Sequence, residues 1–368
     1  MAGFGKTSVT GGYYNSFFLD DTNNVWGCGS NHSSRESDEC TSNFSKLKNL
    51  ENICSVDSGY YHTLFLDLDG NVYSCGNEKK ENQTVELGRK KSEGDETEPI
   101  RISHLPRIAS IAASFYTHSL FLDEDNNVWG CGTNNSGQLG LKEKKYVALE
   151  PTRLKLSGMK AIAAGWRHSV FLDDQGTPWV CGNNSLGELG LGDRLRRNKP
   201  EKIENLPAIK EIYAGCQHTM FLAQDGSLWG TGYNAGGELG TAEKTVLKPI
   251  RIDSLPEVQM VSLGWNHSLF LDISGGVWTC GRNESFQLGT TSGHEIPTKL
   301  ALPEMRSIAA GGNHSLFIDL EDSLWTCGSN SQQQLGREKT VDNLPQKVEN
   351  IPRVQGKKKF NTKSARKL

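Results

Sequence analysis

Gly165-Trp166-Arg167-His168-Ser169-Val170-Phe171-Leu172-Asp173 leads through Gln175-Gly176 to Trp179-Val180-Cys181-Gly182, and then to Asn184-Ser185-Leu186-Gly187-Glu188-Leu189-Gly190. The same succession returns along nearly the whole chain. Its Cys-Gly pair stands at Cys28, Cys75, Cys131, Cys181, Cys280 and Cys327, with Thr231-Gly232 in the remaining slot, at separations of 47, 56, 50, 50, 49 and 47 residues. A histidine lies 13 residues before each pair, at His62, His118, His168, His218, His267 and His314, with Asn15 in the first copy. An aromatic residue lies two before it, at Trp26, Tyr73, Trp129, Trp179, Trp229, Trp278 and Trp325. Spacing that is rigid inside the unit and elastic between units indicates a compact hairpin core joined by loops that lengthen freely.

Within the units, Asp69-Gly70, Gln175-Gly176, Asp225-Gly226 and Gly275-Gly276 suit a tight antiparallel turn, so each unit contains a β-hairpin. Strands such as Leu64-Phe65-Leu66 are apolar on both faces and call for a neighbour on each side. Four short strands per unit, repeated seven times, predict an all-β, seven-bladed β-propeller of four-stranded blades, an arrangement that protects edge strands. A linear β-solenoid would show a shorter period and polar end caps. The chain starts in strand-like Ser8-Val9-Thr10-Gly11. Near its end Ile351-Pro352-Arg353-Val354 resembles the Leu105-Pro106-Arg107-Ile108 that precedes a strand, so the termini are expected to share a closing blade.

The unit Gly-x-x-His-Ser-Leu-Phe-Leu-Asp, then Val-Trp-x-Cys-Gly-x-Asn, then Gly-Gln-Leu-Gly resembles the repeat of the regulator of chromosome condensation (RCC1-like) family. The last element is complete at 134–140 and slightly altered at 184–190 and 234–240. The resemblance covers about residues 7–354. The first unit lacks the Leu-Gly element after Asn31, and the third has Phe115 where Gly165, Gly215, Gly264 and Gly311 stand. The resemblance implies a propeller whose functions range from nucleotide exchange on small GTPases to domains inside ubiquitin ligases, light sensors and enzyme inhibitors. Gly-Trp-Arg-His, which ultraviolet receptors of the family repeat in successive blades, occurs once here, which argues against light sensing.

The composition agrees with a packed repeat protein. The 368 residues are 36% apolar and 23% charged with 40 glycines, which excludes a small stapled module and a fibrous chain. The net charge is −3, but Lys357, Lys358, Lys359, Lys363, Arg366 and Lys367 make the tail +6 and leave the body near −9. A body of that sign does not coat nucleic acid. Nucleic-acid contact is therefore expected only through the tail, residues 356–368, which also reads as a nuclear-import signal or a solubilising terminus and is expected to be disordered beside a 1–355 propeller. No run of 18 apolar residues occurs, and Met1–Thr10 has neither a basic start nor an apolar stretch. Neither a membrane span nor a secretory signal is read, and a cytoplasmic or nuclear monomer is expected. Nine cysteines without CxxC spacing describe neither a disulfide framework nor a zinc site.

A residue that recurs once per blade is carried to a new sector each time, so the six histidines cannot converge on one ion or substrate. They are expected to be partly buried and to bond backbone groups of a neighbouring strand or loop, with the repeated Cys and Trp as core. Neither catalytic residues nor a cofactor nor a metal is read. Recognition is expected where copies differ. The position two before the histidine reads Tyr13, Tyr60, Tyr116, Trp166, Cys216, Trp265 and Gly312, followed by Tyr14, Tyr61, Thr117, Arg167, Gln217, Asn266 and Asn313. It falls in an interstrand turn. Tyr60, Tyr116, Trp166, Arg167, Trp265 and Asn266 are read as a partner-binding face of hot-spot composition, the alternative being packing between blades. The mixed-charge loop 77–99 reads as solvated, and the loop carrying Arg194, Arg196 and Arg197 reads as a basic receiver for an acidic partner or phosphate. These residues describe a non-catalytic platform for a protein partner. Guanine-nucleotide exchange on a Ran-like small GTPase is the alternative implied by the family's founding member, in which a hairpin wedge takes part and the basic arm is N-terminal.

Overall fold

The computed structural model describes residues 8–30, 41–76, 85–89, 97–116, 118–141, 145–338 and 343–355. Seven four-stranded antiparallel sheets, each of consecutive strands, occupy residues 9–46, 53–101, 108–157, 159–202, 209–251, 258–299 and 305–347. They are blades one to seven of a propeller. The first strands of successive blades contact one another around the ring, which sets them at the axis and the fourth strands at the rim. Among the described residues no helix is long and apolar enough to cross a membrane.

Apolar residues fill both faces of the second strand of every blade, as His168–Asp173 shows by being buried throughout. One phenylalanine per blade, Phe18, Phe65, Phe121, Phe171, Phe221, Phe270 and Phe317, is fully buried. Seven apolar clusters result, one in each seam between neighbouring blades. The seam between blades four and five, for example, joins Val170, Leu172 and Leu189 to Ile209, Ile212 and Phe221. The repeated tryptophans flank these clusters, Trp129 against blade two and Trp229 against blade four. This is the blade-to-blade role expected of them.

The termini share blade one. Its first strand, Val9–Gly11, is only three residues long and stops at Phe18 of the second strand. Val354 then pairs with Asp20, as Ile108 pairs with Asp123 in blade three. The Gln355 N–H donates to Leu19 O at 2.7 Å, and Arg306 donates to Gln355 O at 3.0 Å while pairing with Asp322 at 2.8 Å. The resemblance of 351–354 to 105–108 thus marks the two-piece strand that closes the ring.

In six of the seven blades the hairpin between second and third strands is fastened by an aspartate. Asp173 accepts the backbone N–H groups of Gln175 and Thr177 at 3.1 and 2.8 Å and the Trp179 indole N–H at 3.0 Å. Burial opposes the charge, but these donors outweigh it and hold the Asp173 carboxyl below its ordinary range. Asp20, Asp123, Asp272 and Asp319 hold their tryptophans in the same way at 2.9 Å. Blade five has Ala223 at this place, and the Trp229 N–H falls back on Ser227 Oγ. Ala223→Asp is therefore expected to stabilise the protein by about 1 kcal/mol, read as a raised thermal midpoint. An unchanged or lowered midpoint would contradict the fastening role.

Candidate functional site

The loops between first and second strands, and those between third and fourth, emerge at the same end of the propeller. Two kinds of residue meet there, and only one of them is repeated.

The repeated kind binds blade to blade. The Nε2 atoms of His62, His118, His168, His218, His267 and His314 lie 2.8–3.2 Å from Oγ of Ser119 and Ser169, Oγ1 of Thr219, and Oγ of Ser268, Ser315 and Ser16, each in the next blade. Each hydroxyl donates in turn to a carbonyl of the preceding blade, as Ser169 does to Gln138 O at 2.6 Å and Ser315 to Gln287 O at 2.6 Å. The hydroxyl proton being so committed, the imidazole must donate from Nε2. Cys181 and Cys327 place their Sγ atoms on those same two carbonyls. The expectation of a partly buried ring bonded to backbone is thereby corrected. The histidines are at most 1% exposed and bond a side-chain hydroxyl, which relays them to backbone. Burial drives their basicity down, to about 3 for His118, His218 and His267 and about 4 for His168 and His314. Burial likewise raises the thiols, those of Cys75 and Cys327 to about 12.

Glycine three residues before the histidine makes room for this contact. A Cβ on Gly311 would stand 2.1 Å from His314 Cε1 and 2.6 Å from Gly12 O. The glycine of the Cys-Gly slot, Thr231-Gly232 included, has φ between +92° and +111° in six blades, open to glycine and strained for other residues.

The unrepeated kind closes the axis. Tyr13, Tyr60, Tyr116, Trp166 and Trp265, from blades one, two, three, four and six, reach inward and pack on one another. Tyr13 lies 4.2 Å from Tyr60 and 4.9 Å from Trp265, centroid to centroid. Trp166 lies 6.0 Å from Trp265 and 5.8 Å from Tyr116. Tyr14, Tyr61 and Phe115 join from the sides, at 5.5 Å from Tyr60, 4.3 Å from Tyr60 and 6.4 Å from Trp265 respectively. All but the buried Phe115 are half-buried, so the rings form an aromatic floor at the axial mouth rather than filling of the blade seams. Backbone bonds hold the loops in place: Tyr13 N to Gly59 O, Trp166 N to Cys216 O, Cys216 N to Gly264 O, Trp265 N to Gly312 O and Gly312 N to Gly12 O, all 2.9–3.3 Å. Burial, with the 3.4 Å contact to the Tyr14 hydroxyl next, raises the Tyr60 hydroxyl well above its usual range.

Arg167 lies with its guanidinium carbon 4.8 Å from the centre of the Tyr116 ring and 4.5 Å from that of Trp166. Asn266, next in the chain after Trp265, is half-buried, and its backbone carbonyl accepts the Arg282 backbone N–H at 2.9 Å. On the axis below, the Asp57 carboxylate caps the open inner edge of blade three by accepting Ala113 N–H at 2.8 Å. Burial raises its pKa to about 7 against this bond and the one from Ser58 N–H. Of the residues singled out in the sequence, Tyr60, Tyr116, Trp166, Arg167 and Trp265 are therefore brought into one cluster, and Asn266 adjoins it in the chain. Tyr13, Tyr14, Tyr61 and Phe115 belong to it as well, and their adjacency to its members in the repeat was the available signal.

The charged loops depart from expectation. Arg197 opens the fourth strand of blade four, Arg197–Lys202, rather than standing in the loop, and pairs with Asp193 at 2.7 Å and Glu201 at 2.6 Å, which neutralise it. Arg194 and Arg196 remain exposed, donating to Ser185 O and Asn135 O. In the loop 77–99, Val85–Leu87 forms a 3-10 turn with Glu86 and Leu87 buried, Arg89 is buried, and Glu86 O accepts Ser119 Oγ at 2.7 Å. Glu86-Leu87-Gly88 is thus blade two's Leu-Gly element, not solvated loop. The tail, with Lys357, Lys358, Lys359, Arg366 and Lys367, lies outside the described residues, as do Lys79, Lys80, Lys90 and Lys91.

Fold and mouth together define a seven-bladed β-propeller whose repeats serve the ring and whose axial loops differ from blade to blade. The sequence matches the RCC1-like domain over residues 5–257 and regulator of chromosome condensation (RCC1) repeats over 274–318 and 321–358, and the chain belongs to that family. No curated protein sequence matches it. Prp20p of Saccharomyces cerevisiae is similar in structure, with a TM-score of 0.78 at 24% identity over 94% of this chain and 87% of that one. Yeast Prp20 in its complex with Kap60 gives 0.77 at 25% identity, over 95% and 89%. Human WBSCR16 gives 0.76 at 20% identity, over 88% and 93%.

Proposed function

We propose that the chain is a non-catalytic protein-binding platform that engages its partner at the axial mouth. The observation that supports this reading is the aromatic floor, to which five blades contribute Tyr or Trp at a position that is Cys216 or Gly312 in the other two, while the scaffold around it repeats. Half-buried Tyr and Trp with an arginine among them have the composition of an interaction hot spot, and they are held rigidly enough to bind at small entropic cost. The immobilised protein is expected to retain a partner from cell extract that folded Trp166→Ala and Trp265→Ala variants lose. Unchanged partners with both variants folded would sink the reading.

Nucleotide exchange on a Ran-like GTPase is the second reading. Family membership supports it, as does likeness to Prp20p, a protein with described binding to Gsp1p and histones. Acceleration of nucleotide release from Ran-type GTPases by about a hundredfold, some 2.7 kcal/mol in barrier, would replace the platform by an exchange factor. On the platform reading, release stays at its intrinsic rate.

A further inference from the structure

We infer that Arg167 is the anchor for a carboxylate side chain of a protein partner, received at the axial mouth beside Tyr116 and Trp166. The inference rests on the platform reading and names the chemistry of what the platform holds. Arg167 is permanently charged and half-buried, and its guanidinium lies 4.8 and 4.5 Å from two ring centres. Its Nε–H is buried without an acceptor, as is the Trp166 indole N–H beside it. Comparable groups among the described residues are met: Arg197 finds two carboxylates, Arg306 finds Asp322 and two carbonyls, and all seven aromatics two residues before the Cys-Gly slot donate to Asp or Ser. Two orphaned donors in contact at one mouth describe a place where an acceptor arrives from outside.

The acceptor must be anionic, because a neutral one would leave the charge uncompensated in an aromatic setting. A guanidinium fixed by aromatic faces presents parallel N–H groups that match a planar carboxylate in two-point contact. The remaining floor, Tyr13, Tyr14, Tyr60, Tyr61, Phe115 and Trp265, brings no second positive charge to meet a phosphate dianion, and it suits the apolar flanks of a peptide. Arg194 and Arg196 stand exposed on the loop of the same blade at the same end, where they attract an acidic segment without fixing its register.

The test uses the full chain and labelled octaglutamate as probe, with octaglutamine as its uncharged match, read by anisotropy and by tryptophan fluorescence. Octaglutamate is expected to bind and to perturb the fluorescence, with affinity falling about tenfold or more in Arg167→Gln and by an intermediate amount in Arg167→Lys, which keeps the charge but not the fork. Loss of both Arg194 and Arg196 to Gln is expected to weaken binding only a few-fold and to steepen no salt dependence. Equal thermal midpoints show that the variants fold. The inference is overturned by absence of octaglutamate binding, by equal binding of octaglutamine, by an unchanged affinity in Arg167→Gln, or by displacement with millimolar inorganic phosphate. A partner from extract that Trp265→Ala loses and Arg167→Gln keeps would overturn the carboxylate anchor while leaving the platform reading intact.

Discussion

On acidification the ring is expected to open cooperatively with a midpoint near pH 5, set by the buried histidines. Between the ordinary histidine value of about 6.5 and their folded values of about 3 to 4, the unfolded chain takes up protons that the folded sites refuse. Nδ1 of His118, His267 and His314 has no acceptor waiting for such a proton. A folded value depressed below the unfolded one for a base means that stability is full above about pH 6.5 and drains as pH falls, by up to about 1.4 kcal/mol per pH unit for each histidine. Five histidines together spend a typical folding free energy of 5–15 kcal/mol within about two pH units. Asp57 acts with the opposite sign: its raised value makes the folded state take up a proton below about pH 7 and offsets one of the five. Asp20, held near 2, gives up its share only at still lower pH. Urea titrations at successive pH values should therefore show about four protons taken up on unfolding near pH 5. A stability that stays flat from pH 7 to pH 4.5 would contradict the buried neutral relay.

Ser315→Ala should cost about 2–5 kcal/mol, far more than a small surface change of the same kind, because it strands two buried groups at once. The Ser315 hydroxyl is wholly buried, accepts from His267 Nε2 at 3.0 Å, and donates to Gln287 O at 2.6 Å. His267→Ala should cost about as much, and the double variant about as little extra as a shared interaction allows, giving a coupling of 1 kcal/mol or more. Ser185→Ala, at an exposed loop position, serves as the reference near zero. Additive losses at 267 and 315, or a loss at 315 no larger than at 185, would mean that the relay does not carry the seam.

The fold was legible because its anchors repeat in phase. Thirteen residues between histidine and Cys-Gly fix the hairpin register, and His168 opposite Gly182 is that register in three dimensions. The closing strand was legible for the same reason, since Val354 stands where Ile108 stands. The partner of the histidine was not. Every His-Ser or His-Thr pair is adjacent in sequence, but the hydroxyl that receives an imidazole belongs to the next blade, and an offset of one blade leaves no trace in a periodic sequence. Glu86-Leu87-Gly88 escaped notice because charges surround it. The mouth was half legible: the repeat assigns Tyr60, Tyr116, Trp166 and Trp265 to one loop position, but it does not give their reach toward the axis. That reach depends on bulk and on small residues at Cys216 and Gly312, the Tyr13 ring lying where a Gly312 side chain would stand. Arg197 reads as a free charge until Asp193 and Glu201, four residues to either side, turn toward it.

The claim that recurring residues build the ring and unequal ones recognise is tested most directly by hydrogen exchange on the complex with the captured partner. Protection is expected at 13–14, 59–61, 115–116, 166–167 and 265–266, with the hairpin turns at the opposite end, such as 69–70 and 175–176, exchanging as in the free protein. Protection of those turns, or of the fourth strands at the rim, with the axial loops unchanged, would contradict it.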